Sequence, residues 1–307
     1  MHGEAARLAE KLIDAGLRTL VFCASRRGTE LVAEDLRRSL PAELSDSIRS
    51  YRAGYLASER REIEADLFSG RLRGVVATNA LQLGVDIGDL DAVVLCGFPG
   101  TIASFWQQVG RCGRSERPSL AVLVAGEDQL DQWMVRNPDQ LFDRSPEPAV
   151  INLDNPHVYT PHLGCAAHEV PLRHTDLDFW PEQLDEGVRT LVIGERAAVR
   201  RRRGGPAVVW SGRGLPAPTI GLRSASRGEY RIVDPAGRTI GTVDEARVST
   251  TVHTGAIYLH QGRSWQVVDL DDADRVAHVE PSSGEHYTQP RSQSAIRLLE
   301  VDRTRRV

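Results

Sequence analysis

Residues 75–88 read VVATNALQLGVDIG. Three small apolar residues, Val75 to Ala77, stop abruptly at Thr78 and Asn79, and Gly84 and Asp86 follow in a turn-prone stretch. A short apolar run bounded by polar residues reads as a buried strand. In an open α/β sheet, ligands bind beyond the carboxyl ends of the strands. Thr78 and Asp86 are therefore expected at a ligand-binding edge.

The neighbouring sequence repeats the pattern. TLVFC (19–23), IRSYRA (48–53), AVVLCG (92–97) and LAVLVA (120–125) are further short β-type runs. Between them the apolar residues change to helical spacing. They do so over 4–16 (Ala5, Leu8, Ala9, Leu12, Ile13), 28–40 (Leu31, Val32, Leu36, Leu40) and 59–68 (Ile63, Leu67, Phe68), and again near 101–109 and 127–136. Strands alternating with amphipathic helices predict a parallel sheet covered on both faces, here over 1–145. A Pro- and Asn-rich connection over 146–157 follows. Residues 158–215 read as helices running into the basic hairpin RAAVRRRRGGPAVVW (196–210), and 216–307 as a small β-rich module with turns at DPAG and PSSG.

Composition narrows the function less than the motifs do. The chain has 307 residues and a net charge of −4, so its overall field does not attract nucleic acid, although local patches can. All 38 basic residues except Lys11 are arginine, a bias that GC-rich codons explain. Cys23, Cys96, Cys112 and Cys165 form no C-x-x-C pair, which argues against a zinc ribbon or a disulfide framework and suits a reducing cytoplasm. Glu4, Arg7, Glu10 and Lys11 interrupt any signal-peptide core, and no run approaches the ~20 apolar residues of a membrane span.

Two more stretches bear on the edge defined by Thr78. Ser25, Arg26 and Arg27 come directly after the first strand. QQVGRCGR (107–114) lies between the strands at 92–97 and 120–125 and holds Gln107, Arg111 and Arg114. Guanidiniums this close together suit a multiply charged anion, because the planar fork binds phosphate in two-point contact. Each piece alone also reads as a helix end, a strand cap or a turn; the ordered set is far more specific.

That set resembles the second RecA-like lobe of a superfamily II helicase. TLVFCASRRG is similar to motif IV, VVATNALQLGVDIG to motif V and QQVGRCGR to motif VI. The wording through 74–114, and DNPHVYTPHLGCAAHEVPL (154–172) and GTVDEARVSTTVHTGAIYLHQGRSWQVVDLD (241–271) beyond it, resemble the YprA-type, or mitomycin repair factor A (MrfA), branch of RecQ-like DNA helicases. The resemblance implies that Gln107, Arg111 and Arg114 face the γ-phosphate of ATP, with Arg114 as the arginine finger. It implies that Asp86 takes a hydrogen bond from the nucleotide ribose, and that Gly84 lets the chain turn closely beneath the nucleotide. Ser25, Arg26 and Thr78 would contact the DNA backbone. It implies a winged-helix domain within 158–215, with Arg200, Arg201, Arg202 and Arg203 in or beside the wing as DNA contacts. Asn79 departs from the acidic residue many helicases carry there. ATP and Mg²⁺ are the implied cofactors, single-stranded or tailed duplex DNA the implied partner, and DNA repair with 3′→5′ movement in a bacterial, nucleoid-associated setting the implied role.

A helicase also needs a first lobe with a P-loop, G-x-x-x-x-G-K-[ST], and an acidic pair for Mg²⁺. The single lysine, Lys11, lies between Glu10 and Leu12 and is not a P-loop lysine. The first RecA-like lobe of the same polypeptide is therefore an expected partner, and this stretch alone is expected to be inactive. TIGTVDEAR (239–247) imitates a DExx box but follows motif VI, the wrong order, and reads as a surface strand and turn. His162, Cys165 and His168 have helical spacing but lack a fourth ligand, and read as a helix packing Cys165 into a core. No metal ligand is expected. Trp210 and Trp265 could stack on bases, but isolated tryptophans are more often core. The alternative reading is a non-catalytic DNA-binding or partner-docking module on a helicase-lobe scaffold. A dinucleotide-binding enzyme is disfavoured, since no G-x-G-x-x-G follows the first strand.

Overall fold

The computed structural model describes residues 1–84, 87, 90–113, 118–149, 152, 155–180, 183–220, 228–283 and 286–290. It divides into two compact units, Met1–Glu147 with Glu229–Val307, and Pro148–Gly228.

The first unit opens with α1 (His2–Asp14), β1 (Thr19–Cys23), α2 (Arg26–Ser39), α3 (Ala42–Ser45), β2 (Ile48–Tyr51), α4 (Ala57–Phe68), β3 (Gly74–Ala77), β4 (Ala92–Cys96), α5 (Ile102–Val109), β5 (Leu120–Val124), α6 (Gln129–Arg136) and α7 (Asp139–Phe142). The strands form one parallel sheet in the order β2-β3-β1-β4-β5. Side chains alternate across a strand, and that alternation builds two cores. Leu20, Phe22, Val75, Ala77, Val93 and Leu95 meet Ile63 and Leu67 of α4, Phe105 of α5 and Met134 of α6. Val21, Cys23, Val76, Val94 and Cys96 meet Ala5, Ala9 and Ile13 of α1 and Val32, Ala33 and Leu36 of α2. The continuous apolar wording of β1, β3 and β4 is what a sheet buried on both faces requires.

Three details differ from the sequence reading. LAVLV is only half-buried or exposed, because β5 is the edge strand. Phe68 is 61% exposed: it ends α4, one residue past Leu67 and so turned ~100° off the buried stripe. The helical period read from residue 28 starts at Arg26, because the Ser25 hydroxyl caps α2 by accepting from the Gly28 N–H at 3.0 Å.

The second unit, described by itself, contains α8 (Pro156–Glu169), α9 (Leu184–Ile193) and an antiparallel hairpin of β6 (Ala197–Arg202) and β7 (Gly205–Trp210). Asn155 caps α8 by accepting from the His157 N–H, and Pro156 sits at the first turn where its missing N–H is harmless. Leu163, Ala167, Leu184, Leu191 and Ala197 form the core. Gly164 lets Trp210 reach it: a Cβ there would lie 3.1 Å from the indole. Cys165 is only partly buried, so the core side of α8 is Leu163, Gly164 and Ala167 instead.

The chain then returns to the first unit through β8 (Glu229–Val233), β9 (Thr239–Asp244), α10 (Val248–Thr251), β10 (Ile257–His260), β11 (Arg263–Asp271) and β12 (Val276–Pro281). These strands form a sheet in the order β10-β11-β12-β8-β9, antiparallel except for the β12–β8 pair. Trp265, 9% exposed, belongs to its core with Ile232, Val243, Val267 and Val279. This module docks on the lobe. Thr242 N–H donates to the Gly54 carbonyl at 3.0 Å, and a Cβ on Gly241 would fall 2.9 Å from that same oxygen.

Candidate nucleotide and nucleic-acid site

The carboxyl ends of β1 and β3 bring Ser25 and Thr78 to one sheet edge, since Phe22 and Ala77 are register partners. Ser25 is exposed, and its oxygen accepts from Gly28. Thr78 is 8% exposed and caps the 3-10 turn Asn79–Leu81. Gly84 has φ +79 with nothing within 4 Å of an added Cβ, so the dihedral, not space, demands glycine there. Asp86 and Arg114 lie outside the described residues.

Motifs V and VI are joined through one side chain that the sequence reading did not single out. Gln82, 9% exposed, donates from Nε2 to the Gln107 Oε1 at 2.5 Å and to the Ser104 hydroxyl at 3.2 Å. Its Oε1 accepts from Gln108 Nε2 at 3.0 Å. Its backbone carbonyl accepts from Arg111 Nε at 3.0 Å and Nη2 at 2.6 Å. Arg111 is 5% exposed and so is held in one orientation. Gln107 and Gln108 are adjacent on α5 and point ~100° apart, leaving Gln107 exposed and Gln108 buried. The available signal was a lone amide in the apolar wording ALQLG.

Arg26 is half-buried and turned toward the β module rather than standing free at the sheet edge. It walls a cavity with Tyr258 and Trp265. Burial, then the Arg52 and Arg247 charges, lower its guanidinium below the ordinary value. Beneath it lies a buried ionic centre. Arg52 Nε donates to Glu30 Oε1 at 2.9 Å with both side chains 1% exposed. Arg52 Nη2 donates across to the Leu259 carbonyl at 2.7 Å and the Tyr258 hydroxyl at 3.1 Å, tying lobe to module. Burial acts to lower Arg52, but the Tyr258, Glu30 and Tyr55 oxygens outweigh it and hold the guanidinium above its usual value. His260, stacked beside Tyr258, is pushed down to about 4 by burial and then by Arg52.

In the second unit, Arg200, Arg201 and Arg202 lie on β6 and Arg203 in the turn, all four exposed. The hairpin places them along one solvent-facing strand end, opposite Ala207, Pro206 and Gly205. Asp244 accepts from the Ala246 N–H at the end of β9, a turn cap. His162 Nδ1 lies 2.7 Å from the Val158 carbonyl within its own helix. Among the described residues, no group of three or more His, Cys, Asp or Glu is placed to hold a metal ion, and no helix is long and apolar enough to cross a membrane.

A five-stranded parallel sheet with Ser25 and Thr78 at its carboxyl edge, and with motif VI, near the amino end of β4, bonded to motif V through Gln82, is the second RecA-like lobe of a superfamily II helicase. Residues 4–116 match the family model described as helicase conserved C-terminal domain. Residues 151–224 match the winged helix domain of the ATP-dependent helicase HRQ1. Over 307 residues the chain is 40% identical to the uncharacterized ATP-dependent helicase YprA of Bacillus subtilis, covering 98% of this chain and 40% of that protein. It is 33% identical to the ATP-dependent helicase HRQ1 of Saccharomyces cerevisiae over 97% of this chain and 28% of that one. The crystal structure of the DUF1998 helicase MrfA bound to DNA and AMPPNP superposes with a TM-score of 0.76 at 41% identity, covering 94% of this chain and 40% of MrfA. The chain belongs to the YprA- and MrfA-type superfamily II helicases. It spans about two fifths of the length of YprA and MrfA.

Proposed function

We propose that this chain supplies the second lobe and part of the DNA track of an ATP-dependent DNA helicase or translocase acting in DNA repair with 3′→5′ movement. The observation that carries this reading is the pinned Arg111. A buried guanidinium held by the Gln82 carbonyl, which ties motif VI beside the amino end of β4 to the segment leaving Thr78, is fixed in orientation before it meets phosphate charge. ATP would supply the hydrolysable phosphate. Arg111, Gln107 and Arg114 would orient it and neutralise charge developing on it, a contribution of ~10³–10⁵ in rate where arginine fingers have been measured. Asp86 would position the ribose, and Mg²⁺ would be held by acidic residues of the first lobe. Ser25 and Thr78, with Arg26 beside them, would contact DNA phosphates, and Arg200 to Arg203 would add the wing. The proposed boundaries are a lobe over 1–145, a winged helix within 158–215 and the β module beyond it.

The test is reconstitution. Adding a first RecA-like lobe from a YprA-type relative should produce DNA-stimulated ATP turnover that Arg114→Ala abolishes. The 307-residue chain by itself should give none. Turnover by the chain alone would overturn the division of labour. The second reading is a non-catalytic DNA-binding module on the same scaffold. It would be preferred if the reconstituted protein bound DNA but never hydrolysed ATP.

A further inference from the structure

The basic hairpin of the second unit has a further arginine seated against its turn. The Leu172 N–H donates to the Val208 carbonyl at 2.9 Å, and the Val208 N–H donates back to the Leu172 carbonyl at 2.8 Å. This antiparallel bridge lies on the side of β7 away from β6 and gives the hairpin a short third neighbour. From there the Arg173 side chain reaches the turn. A Cβ built on Gly204 would lie 2.7 Å from Arg173 Nη1, 3.7 Å from its Cζ and 3.9 Å from its Nη2. Gly204 has φ +106 and Gly205 has φ +111, backbone that favours glycine at both places. An added Cβ at Gly205 meets open space, whereas at Gly204 it would meet this guanidinium. The bare turn is therefore a seat for Arg173, and the wording RRRRGG gives no sign of it.

No acid neutralises the group. Asp176, three residues on, takes the Arg173 backbone N–H at 2.8 Å rather than its guanidinium. Among the described residues, neither Arg173 nor any of Arg200 to Arg203 is in an ion pair. All five are exposed, so a ligand can reach them. Guanidiniums gathered without acids repel one another, and a phosphate that accepts from two of them turns the repulsion into attraction. Arg173 differs from the other four in being packed on the turn. A side chain already held in place loses less freedom on binding than one at a free tip.

We propose that Arg173 and the Arg202–Arg203 end of the hairpin form one clamp for a backbone phosphate of DNA, with Arg173 as its fixed jaw. The clamp rests on the DNA-binding reading above. It adds to that reading a residue from outside the hairpin and a coupling: Arg173 and the tip hold the same phosphate, not two neighbouring ones.

The experiment measures binding of the 307-residue chain to a tailed duplex by fluorescence anisotropy across a salt series. Arg173→Gln is expected to flatten the slope of log affinity against log salt by about 0.7–0.9, on the order of fivefold in affinity at about 0.1 M salt. Its melting temperature should match the parent's, since an exposed side chain without a partner is replaced. Arg173→Lys keeps the charge and should keep the slope. In a chain already carrying Arg202→Ala and Arg203→Ala, Arg173→Gln should cost less than about twofold, because the shared phosphate is already lost. An undiminished loss in that background would mean separate phosphates and overturn the clamp. If Arg173→Gln matches the parent while replacing Arg200 to Arg203 with alanine weakens binding, the clamp alone falls and the wing stays in the DNA interface. A parent chain that binds no tailed duplex overturns both.

Discussion

The Gln82 carbonyl accepts two hydrogen bonds from Arg111, at 3.0 Å from Nε and 2.6 Å from Nη2. Only a guanidinium can make both at once. Arg111→Lys should therefore behave almost as Arg111→Ala in a two-lobed enzyme, each lowering kcat by about 10²–10³, the range seen on removing a charge-stabilising donor. Gln82→Ala keeps the backbone carbonyl but deletes the amide contacts to Ser104, Gln107 and Gln108. It should cost only about tenfold. Steady-state ATP turnover checks the order, and a lysine variant with near-parental kcat would sink the argument.

The Glu30–Arg52 pair makes a stability prediction. Removing one partner of a buried ion pair costs about 3–5 kcal/mol, because the other charge is left unmatched in the interior. Glu30→Gln and Arg52→Met should each lower unfolding free energy by that order in urea. Arg52 also reaches Leu259 and Tyr258. Arg52→Met should therefore speed hydrogen exchange in β10 more than in β3. Equal exchange in both strands would mean that Arg52 does not couple the module to the lobe.

The wing prediction is electrostatic. Arg200, Arg201, Arg202 and Arg203 are all exposed. Each phosphate contact on a single strand contributes about 0.7 to the slope of log affinity against log salt. Replacing all four with alanine should flatten that slope by up to about 3 and weaken binding alike across sequences. Fluorescence anisotropy from low to moderate salt measures it. An unchanged slope would remove the wing from the DNA interface.

Much of the lobe was legible because its physics is local. A strand buried on both faces must be continuously apolar, and TLVFC, GVVA and AVVLC are. The caps Ser25 and Thr78 precede their turns in the sequence as they do in space. Residues that act across distance were not legible. Glu30 sits inside an amphipathic helix and Arg52 at a strand end, and neither neighbourhood signals a partner. Their pairing depends on β2 lying beside α2, and on β10 arriving more than two hundred residues later in the chain. Gln82 was hidden for the opposite reason: it stood inside a recognised motif, where its neighbours took the roles. Phe68 and the edge strand LAVLV show the remaining gap, since apolarity alone does not tell which residue faces inward at a helix end or a sheet border.

His260 extends the same ionic centre to pH. It is 7% exposed, faces Arg52 at 3.4 Å and the Tyr258 hydroxyl at 3.2 Å, has the Glu59 carboxylate 3.9 Å from its Nε2, and has Tyr55 and Glu30 around it. Burial and then the Arg52 charge push it down to about 4 from an ordinary 6.5. Between those two values the unfolded chain binds a proton that the folded chain refuses, so folding is opposed increasingly as pH falls. The contribution is intact at pH 7, shrinks as pH drops below 6.5, and stops shrinking near pH 4. Taking 1.36 kcal/mol per unit, the loss from pH 7 to pH 5 is about 2 kcal/mol. His260→Gln removes the titration and keeps an amide able to bond Tyr258. Urea unfolding at pH 7 and pH 5 should then show the parent losing about 2 kcal/mol more than the variant. Equal losses in the two proteins would show that His260 titrates normally when folded.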